Sequence, residues 1–133
     1  MKSYTNLEQS TKLVEILPIE SADQTWERVA IAGANLGIPE ELQYRHNGDL
    51  PFEAYSGIGI PCWSLAALIE RLDETVTTDD GDYELHIYIE NGGYYVQYDE
   101  SYDGRILVES GFQERLIDAV YKIVLKLGEL KLI

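Results

Sequence analysis

The chain of 133 residues has little cysteine, histidine and basic charge. Cys62 is its single cysteine, so it can form neither an intramolecular disulfide bond nor a cysteine-rich zinc site. Its two histidines are His46 and His86, and neither has another histidine or cysteine at the spacing of metal ligands. We therefore predict no metal site and no bound cofactor.

Long apolar runs are also missing. The stretches "VAIAGANLGIP" and "AVYKIVLKLG" fall short of the roughly 18 residues that a membrane helix needs. The opening "MKSYTNLEQS" lacks the apolar stretch of a signal peptide. These features predict a cytoplasmic protein with no membrane partner. The length and the hydrophobic share of 45% predict a single domain over residues 1–133.

Basic residues are outnumbered, with ten Lys and Arg against 24 Asp and Glu and a net charge of −14. Between Glu70 and Glu109 lie twelve acids and two arginines, which makes the local net charge −10. Such a surface repels phosphate backbones, so we predict no direct nucleic-acid binding and expect a protein partner with a basic surface. A solvated acidic surface that only keeps the chain soluble is the simpler alternative.

Two helices are predicted near the N-terminus. Thr5 and Glu8 fit the capping box of a helix over "TNLEQSTKLVEILP". Ser21 and Gln24 repeat that spacing before a second helical segment, which would extend to Asn35. The apolar face of the first helix would be formed by Leu7, Leu13, Val14 and Leu17.

Two further helices are predicted in the C-terminal half. Ser64 is a good N-cap for one of them, and Ser110 and Gln113 are spaced as a capping box for the other. Gly128 is the expected end of the last helix. The apolar stripes would be Leu65, Leu68, Ile69 and Leu72 in the first and Leu116, Ile117, Val120, Ile123, Val124 and Leu127 in the last.

A β-hairpin is predicted between them. The stretch "DYELHIYIE" alternates apolar and polar residues, and Asn91-Gly92 is the strongest short signal for a two-residue turn. A three-residue loop would shift the register and place Tyr95 and Gln97 towards the core. The two-residue turn is favoured because it places the apolar residues of both strands on the same face. It pairs Ile89 with Tyr94, Ile87 with Val96 and Leu85 with Tyr98. The residues expected to be buried together are Leu85, Ile87, Tyr94 and Val96.

These elements predict an α+β fold. Ile106 and Val108 of "RILVE" would join the buried face as a third strand, and "DETVTTDDG" would be a linker. The expected architecture is a small antiparallel sheet of three strands, or slightly more, with helices packed on one face. The local order over residues 64–127 would be helix, strand, strand, strand, helix.

The outer face of this hairpin is the candidate binding surface. Six of the ten tyrosines lie between residues 83 and 102. In the predicted register Tyr88 and Tyr95 face outwards opposite each other, with His86 and Glu84 beside them on the same strand. We predict a partner-binding patch of Tyr88, Tyr95, His86 and Glu84. The alternative is a cross-strand pair that only stabilises the sheet.

Residues 99–110 resemble a calcium loop. Asp99, Ser101 and Asp103 alternate before Gly104, as in an EF-hand. The last ligand does not fit, because the twelfth position is Ser110, and an Asp-Gly turn explains the same residues without a metal.

No catalytic constellation emerges. Cys62, Ser64 and His46 could be combined as nucleophile and base, but Ser64 is explained as a helix cap and Cys62 as a small core residue. We therefore predict no catalytic residues. An enzyme would need a pocket formed by the segment 40–61, which is predicted to be irregular and contains His46, Tyr44 and Tyr55.

Three stretches of the chain resemble a group of uncharacterised short proteins of gut Bacteroidales and their phages and mobile elements. These stretches are "YTNLEQSTKLVEILPIESAD", "IPCWSLAALIERL" and "AVYKIVLKLG". "PCWSLAAL" is the most specific of them. The resemblance implies a cytoplasmic bacterial protein of prophage or mobile-element origin, and it implies no activity.

The expected order over residues 64–127 is also similar to double-stranded-RNA-binding domains and to toxin–antitoxin proteins built on that scaffold. The basic residues that such a domain presents to RNA are missing here, since Lys122 and Lys126 alone lie a turn apart on the last helix.

The sequence therefore favours a non-enzymatic, acidic protein-interaction protein. A sharper form of this hypothesis is a nucleic-acid mimic, which would occupy the basic groove of a host protein. The alternatives are a small enzyme or a ligand or calcium sensor with a pocket formed by the segment 40–61.

Overall fold

Two antiparallel sheets and three α-helices make up the described part of the chain. The structure is a computed structural model that describes residues 3–28, 42–46 and 59–133. The expected α+β class is confirmed. In chain order the elements are α1 (Leu7–Leu13), a 3-10 turn (Ile19–Ser21), β1 (Gln24–Arg28), β2 (Leu42–His46), β3 (Gly59–Cys62), α2 (Leu65–Glu70), β4 (Thr75–Thr78), β5 (Gly81–Glu90), β6 (Gly93–Asp99), β7 (Ile106–Glu109) and α3 (Leu116–Glu129).

The N-terminal sheet, in the order β2-β1-β3, was not predicted. Its central strand β1 places Trp26 level with Tyr44 on one side and with Ile60 on the other. The helix predicted after Ser21 is therefore wrong over Gln24–Arg28, and its remainder lies outside the described residues. Pairing with two strands that are distant in sequence outweighs the local capping signal, and a search for local periodicity cannot detect such pairing.

The segment 40–61 supplies most of the other two strands of this sheet. It was predicted to be irregular, which is wrong for β2 and β3. The rest of the segment lies outside the described residues. The chain leaving β3 meets the N-terminus, where the Thr5 amide donates a hydrogen bond of 2.9 Å to the Trp63 carbonyl.

The predicted hairpin is confirmed as the centre of the second sheet, whose order is β4-β5-β6-β7. Asn91 and Gly92 have φ angles of 53° and 76°, as a two-residue type I′ turn requires. The register is the predicted one, with Ile89 opposite Tyr94, Ile87 opposite Val96 and Leu85 opposite Tyr98.

A fourth strand extends this sheet beyond the prediction. The predicted linker contains β4, which pairs with the start of β5 so that Thr75 lies opposite Glu84 and Thr78 opposite Gly81. The order over residues 64–127 is therefore helix, four strands, helix, and not the predicted order with three strands. All four residues of β4 are β-branched, which favours a strand.

The helix α3 covers one face of the second sheet. It lies over β6 and β7 and packs against α2. Its predicted stripe is confirmed, since Val120, Ile123 and Leu127 are buried and the flanking Ile117 and Val124 are buried with them. Other large, fully buried side chains are Trp63, Tyr98, Leu13, Leu68 and Val96.

The start of α3 differs from the prediction. Ser110 and Gln113 form no capping box, and the helix begins after Arg115. The Ser110 hydroxyl accepts a hydrogen bond of 2.9 Å from the Val96 amide, and the backbone of Gln113 pairs with that of Tyr94. Ser110 and Gln113 thus extend the edge of the sheet beyond β7, and they form hydrogen bonds with β6 instead of capping a helix.

Gly128 does not end α3, contrary to the prediction, but lies within it. A Cβ atom at this position would lie 2.4 Å from the Cγ2 atom of Ile16. The glycine therefore allows the chain after α1 to approach α3 closely.

The first helix begins one residue later than predicted. The capping box is formed by Asn6 and Gln9, whose side chains accept each other's backbone amides at 2.7 and 3.0 Å. Thr5 is instead buried, and its hydroxyl accepts a hydrogen bond of 3.1 Å from the Trp63 amide. Of the predicted apolar face, Leu13 and Leu17 are buried whereas Leu7 and Val14 are exposed.

The end of the hairpin is less buried than predicted. Val96 is buried and Leu85 and Tyr94 are half-buried, but Ile87 is 43% exposed and Ile89 is 78% exposed. The prediction of a shared burial is therefore wrong for Ile87. The reason is that α3 covers β6 and β7 rather than β5, so the end of β5 extends past the helix.

A register shift in β7 changes the third predicted strand. Val108 lies opposite Tyr98 and is buried as expected, but Ile106 lies opposite Asp99 because Leu107 is inserted between them. Such a bulge shifts the alternation of side chains along the strand by one residue. Leu107 therefore packs on the core, while Ile106 faces outwards and is exposed.

Tyr98 provides a test of the core. Its hydroxyl donates a hydrogen bond of 2.6 Å to the Asp73 carbonyl, and burial together with the Asp73 charge raises the pKa of Tyr98 to about 12. The folded state thus favours the neutral phenol. This stabilisation is complete below the unfolded pKa of about 10 and is lost as the pH rises towards 12.

We expect Tyr98→Phe to lower the free energy of unfolding by about 1 kcal/mol at pH 7, because one buried hydrogen bond is lost. The difference from the parent chain should shrink between pH 10 and 12, as measured by urea denaturation at several pH values. The exposed Tyr102 provides the control Tyr102→Phe. A difference that stayed constant across this pH range would contradict the assignment.

Candidate functional site

The second sheet turns one face away from the helices. Because side chains alternate along a strand, Glu84, His86 and Tyr88 of β5 share this outer face with residues of β6. Tyr88 lies directly opposite Tyr95, and His86 lies opposite Gln97, as predicted.

Four rings form an aromatic patch on this face: His86, Tyr88, Tyr95 and Phe112. The ring centroids of His86 and Tyr88 are 6.0 Å apart, and those of Tyr95 and Phe112 are 5.7 Å apart in an edge-on arrangement at 62°. Tyr88 is 45% exposed and Phe112 is 43% exposed, while Tyr95 is half-buried between them. The outward pair is thus extended by a third large ring.

Phe112 was missed because its segment was interpreted as the start of a helix. Gly111 adopts a φ angle of 67°, and the chain then returns to pair Gln113 with Tyr94, which carries Phe112 onto the outer face. The signal was Gly111 itself, since a glycine directly after a strand often marks an irregularity in the ladder.

Gly93 provides the space for the Phe112 ring. A Cβ atom on Gly93 would lie 2.3 Å from Cε2 of Phe112 and 2.7 Å from the Gln113 carbonyl oxygen. The first residue after the hairpin turn must therefore be glycine for the ring to approach the strand this closely.

Acidic side chains surround the patch. Glu84 and Glu109 lie on the outer face and are exposed, and Glu84 accepts a hydrogen bond of 3.0 Å from the Ser101 hydroxyl. Glu90, at the end of β5, is exposed as well. The predicted residue Glu84 thus lies at the rim of the patch rather than among the rings.

Asp99 is the one buried acid on this face, with 7% of its surface exposed. The Gln97 side-chain amide donates a hydrogen bond of 2.5 Å to its Oδ2 atom. The Nδ1 atom of His86 lies 2.9 Å from its Oδ1 atom, although the angles are not those of a hydrogen bond. The His86 ring therefore lies beside a buried carboxylate at the edge of the patch.

The loop that resembles a calcium site is organised by an arginine. Gly104 adopts a φ angle of 67° and its amide bonds the Glu100 carbonyl at 2.9 Å, so the loop is a tight hairpin turn. The Arg105 guanidinium donates hydrogen bonds to the Glu100 carboxylate and, at 3.0 Å, to the Asp80 carbonyl. Asp99 meanwhile points to Gln97, away from this loop.

Within the described ranges, no cluster of three or more His, Cys, Asp or Glu side chains could hold a metal ion. The hydrogen bonds of the Arg105 side chain account for the geometry of this loop.

Cys62 and Ser64, the residues considered as nucleophiles, have structural roles. The Cys62 thiol is buried and donates to the Thr5 carbonyl at 3.3 Å, and burial raises its pKa, which keeps it protonated. The Ser64 hydroxyl caps α2 by accepting from the Ala67 amide at 3.1 Å, as predicted, and donates to Asp23. The side chain of His46 lies outside the described residues.

The side chains of Tyr44 and Tyr55, which the pocket proposed for an enzyme would include, also lie outside the described residues. A separate open cleft of about 490 Å³ lies between β7 and the end of α3. Its polar lining is Glu109, Lys126 and Glu129, and the Lys126 ammonium group already donates to the Glu109 carbonyl.

Comparisons with known proteins identify no family: no family model matches the chain, and no curated protein or solved structure matches it. Among the described residues, no helix has the length and apolar character needed to cross a membrane.

The contact between Gly93 and Phe112 can be tested directly. We expect Gly93→Ala to destabilise the fold by about 1–3 kcal/mol, because the added methyl group overlaps the ring and the Gln113 carbonyl. The loss should be smaller when Phe112→Ala is present in the same chain. Urea denaturation of the two single variants and the double variant measures this coupling. Strictly additive losses would show that the ring does not lie against Gly93.

Proposed function

We propose that this chain is a non-enzymatic protein-interaction protein that binds a partner with a basic surface through its aromatic patch. The observation that carries the proposal is the ring cluster of Tyr88, Tyr95 and Phe112 on the outer face of the second sheet, in which Tyr88 and Phe112 are exposed and acids lie around the rings.

The patch has the composition of an interface centre. Tyrosine contributes a large apolar area with only two rotatable side-chain bonds, so it loses little entropy when a partner covers it. Tyr95 and Phe112 already restrict each other's rings, and the Tyr88 ring lies next to His86. Preorganised rings of this kind lower the cost of ordering the interface.

The charge of the chain points to the chemistry of the partner. Glu84, Glu90 and Glu109 lie around the patch, and the whole chain carries a net charge of −14. Lysine and arginine side chains on a partner would meet complementary potential at this rim, while a phosphate backbone would be repelled. A basic protein surface therefore suits this face.

The sharper form of the proposal is a nucleic-acid mimic of prophage or mobile-element origin that acts in the bacterial cytoplasm. Its support is the density of acids between Glu70 and Glu109 and the resemblance of "PCWSLAAL" and its companion stretches to short phage-associated proteins. Such a mimic would occupy the groove in which a host protein binds DNA or RNA.

We expect the double substitution Tyr88→Ala and Tyr95→Ala to weaken partner binding by tenfold or more, since central aromatic residues typically contribute about 2 kcal/mol or more each. Affinity capture from a native host lysate, followed by titration of the captured protein, measures the effect. Tyr102→Ala is the matched control, because Tyr102 is 97% exposed but lies in the loop after β6. Unchanged capture by the double variant would exclude the patch.

Binding to the partner should weaken steeply as salt is raised, because the attraction between acidic rim and basic surface is screened. For a nucleic-acid mimic, DNA or RNA should also displace this chain from the captured protein in a competition experiment. Binding that persisted unchanged in high salt would contradict the mimic.

A further inference from the structure

Within the described part of the chain, the half of β5 next to the hairpin turn is paired with a strand on one side only. β4 pairs with β5 over Gly81–Glu84, and the last hydrogen bond between them joins the Leu85 amide to the Glu74 carbonyl at 3.0 Å. Residues 86–90 pair with β6, but among the described residues no strand continues the lane of β4 beside them. We call residues 86–90 the open edge.

The backbone groups that face this open edge can be identified from the neighbouring hydrogen bonds. The amide and carbonyl of Val96 bond Ser110, and those of Tyr94 bond Gln113, so both residues direct their backbone groups away from β5. In an antiparallel ladder the residue opposite such a position also directs its groups away from the pair.

The residues opposite Val96 and Tyr94 are Ile87 and Ile89. Their two amides and two carbonyls therefore point away from β6, into the lane beyond β4 that no described strand occupies. The Leu85 amide, two residues earlier, confirms this alternation because it points the same way and bonds Glu74.

The side chains of the open edge alternate in chemistry. Ile87 and Ile89 are exposed on the inner face, where α3 does not reach, and Tyr88 is exposed on the outer face. Acids stand at both ends of the lane, with Glu74 beside Leu85 and Glu90 at the hairpin turn, and both are exposed. An exposed edge with apolar side chains is a template for another strand.

We propose that an extended basic segment of the partner adds to the sheet as a fifth strand in this lane, opposite residues 86–90. This inference rests on the proposed function and specifies how the partner is held. Main-chain bonds to Ile87 and Ile89 would supply the pairing. Apolar side chains of the segment would cover the two isoleucines, and basic side chains would lie beside Tyr88 and between Glu74 and Glu90.

A second copy of this chain fits the edge less well. Antiparallel self-pairing with Ile87 opposite Ile89 would bring Leu85 of the second copy level with Asn91. Glu74 of that copy, which bonds its Leu85, would then enter the space of the hairpin turn. Each copy also carries a charge of −14, so the two acidic edges would repel each other.

Amide hydrogen exchange followed by NMR tests strand addition on the full chain. The probe is a synthetic peptide of alternating arginine and valine at low salt. We expect the Ile87 and Ile89 amides to exchange rapidly in the free chain and at least about tenfold more slowly with the peptide bound. The Tyr88 and Glu90 amides face β6 and should be slow in both states. The control peptide has the same charge but N-methylated valines, which cannot pair with the edge.

Two substitutions of one residue separate pairing from side-chain contact. Ile89→Pro removes the outward amide while leaving the ladder to β6, and we expect it to weaken peptide binding about tenfold or more. Ile89→Thr keeps the amide and a β-branched side chain, and it should change binding by less than about threefold. Circular dichroism spectra establish that both variants are folded.

Three outcomes would overturn the proposal. If the peptide shifts the Tyr95 and Phe112 ring resonances without slowing the two amides, the patch binds and the edge does not. If the Ile87 and Ile89 amides are already protected in the free chain as its concentration rises, a second copy occupies the edge. If the peptide and its N-methylated control bind equally or not at all, strand addition is excluded, while the double tyrosine variant still tests the proposed function separately.

Discussion

The two-residue turn at Asn91 and Gly92 is the constraint on which the second sheet depends. Both residues have positive φ angles, of 53° and 76°, which bring β5 and β6 together in a single register. One residue more in the loop would exchange the faces of β6 and direct Tyr95 into the core. Because the turn has two residues, Val96 is buried under α3 and Tyr95 meets Tyr88 on the outer face.

The length of this hairpin relative to its neighbours determines which surfaces are exposed. β5 has ten residues, but β4 pairs with four of them and α3 lies over β6 and β7. Among the residues that the structure describes, the half of β5 next to the turn therefore keeps an open backbone edge, two exposed isoleucines and one exposed tyrosine. The aromatic patch and the open edge meet at Tyr88, so one partner could use rings and backbone together.

The acids in the loop after β6 are paired with an arginine, whereas those around the aromatic patch are exposed. In the loop after β6 the acids are partly neutralised by Arg105, which bonds Glu100 and lies 3.8 Å from Asp103. Around the patch, Glu84, Glu90 and Glu109 are exposed. The buried carboxylate, Asp99, lies against His86 and Gln97. The negative potential at the rim is what makes a basic partner suitable for both proposals.

The sequence by itself determined the hairpin, its register, the outward pairing of Tyr88 with Tyr95, the Ser64 cap and the stripe of α3. All of these depend on neighbours within a few residues or on strict alternation around one turn, and such signals are local. The tertiary structure alone decided the N-terminal sheet, the position of Phe112 and the exposure of Ile87. β1 is a strand because two strands distant in sequence pair with it. Phe112 lies among the rings because Gln113 pairs with Tyr94. Ile87 is exposed because α3 packs on β6 and β7 and does not cover β5. Each depends on contacts between segments far apart in the chain, whose geometry local periodicity does not encode.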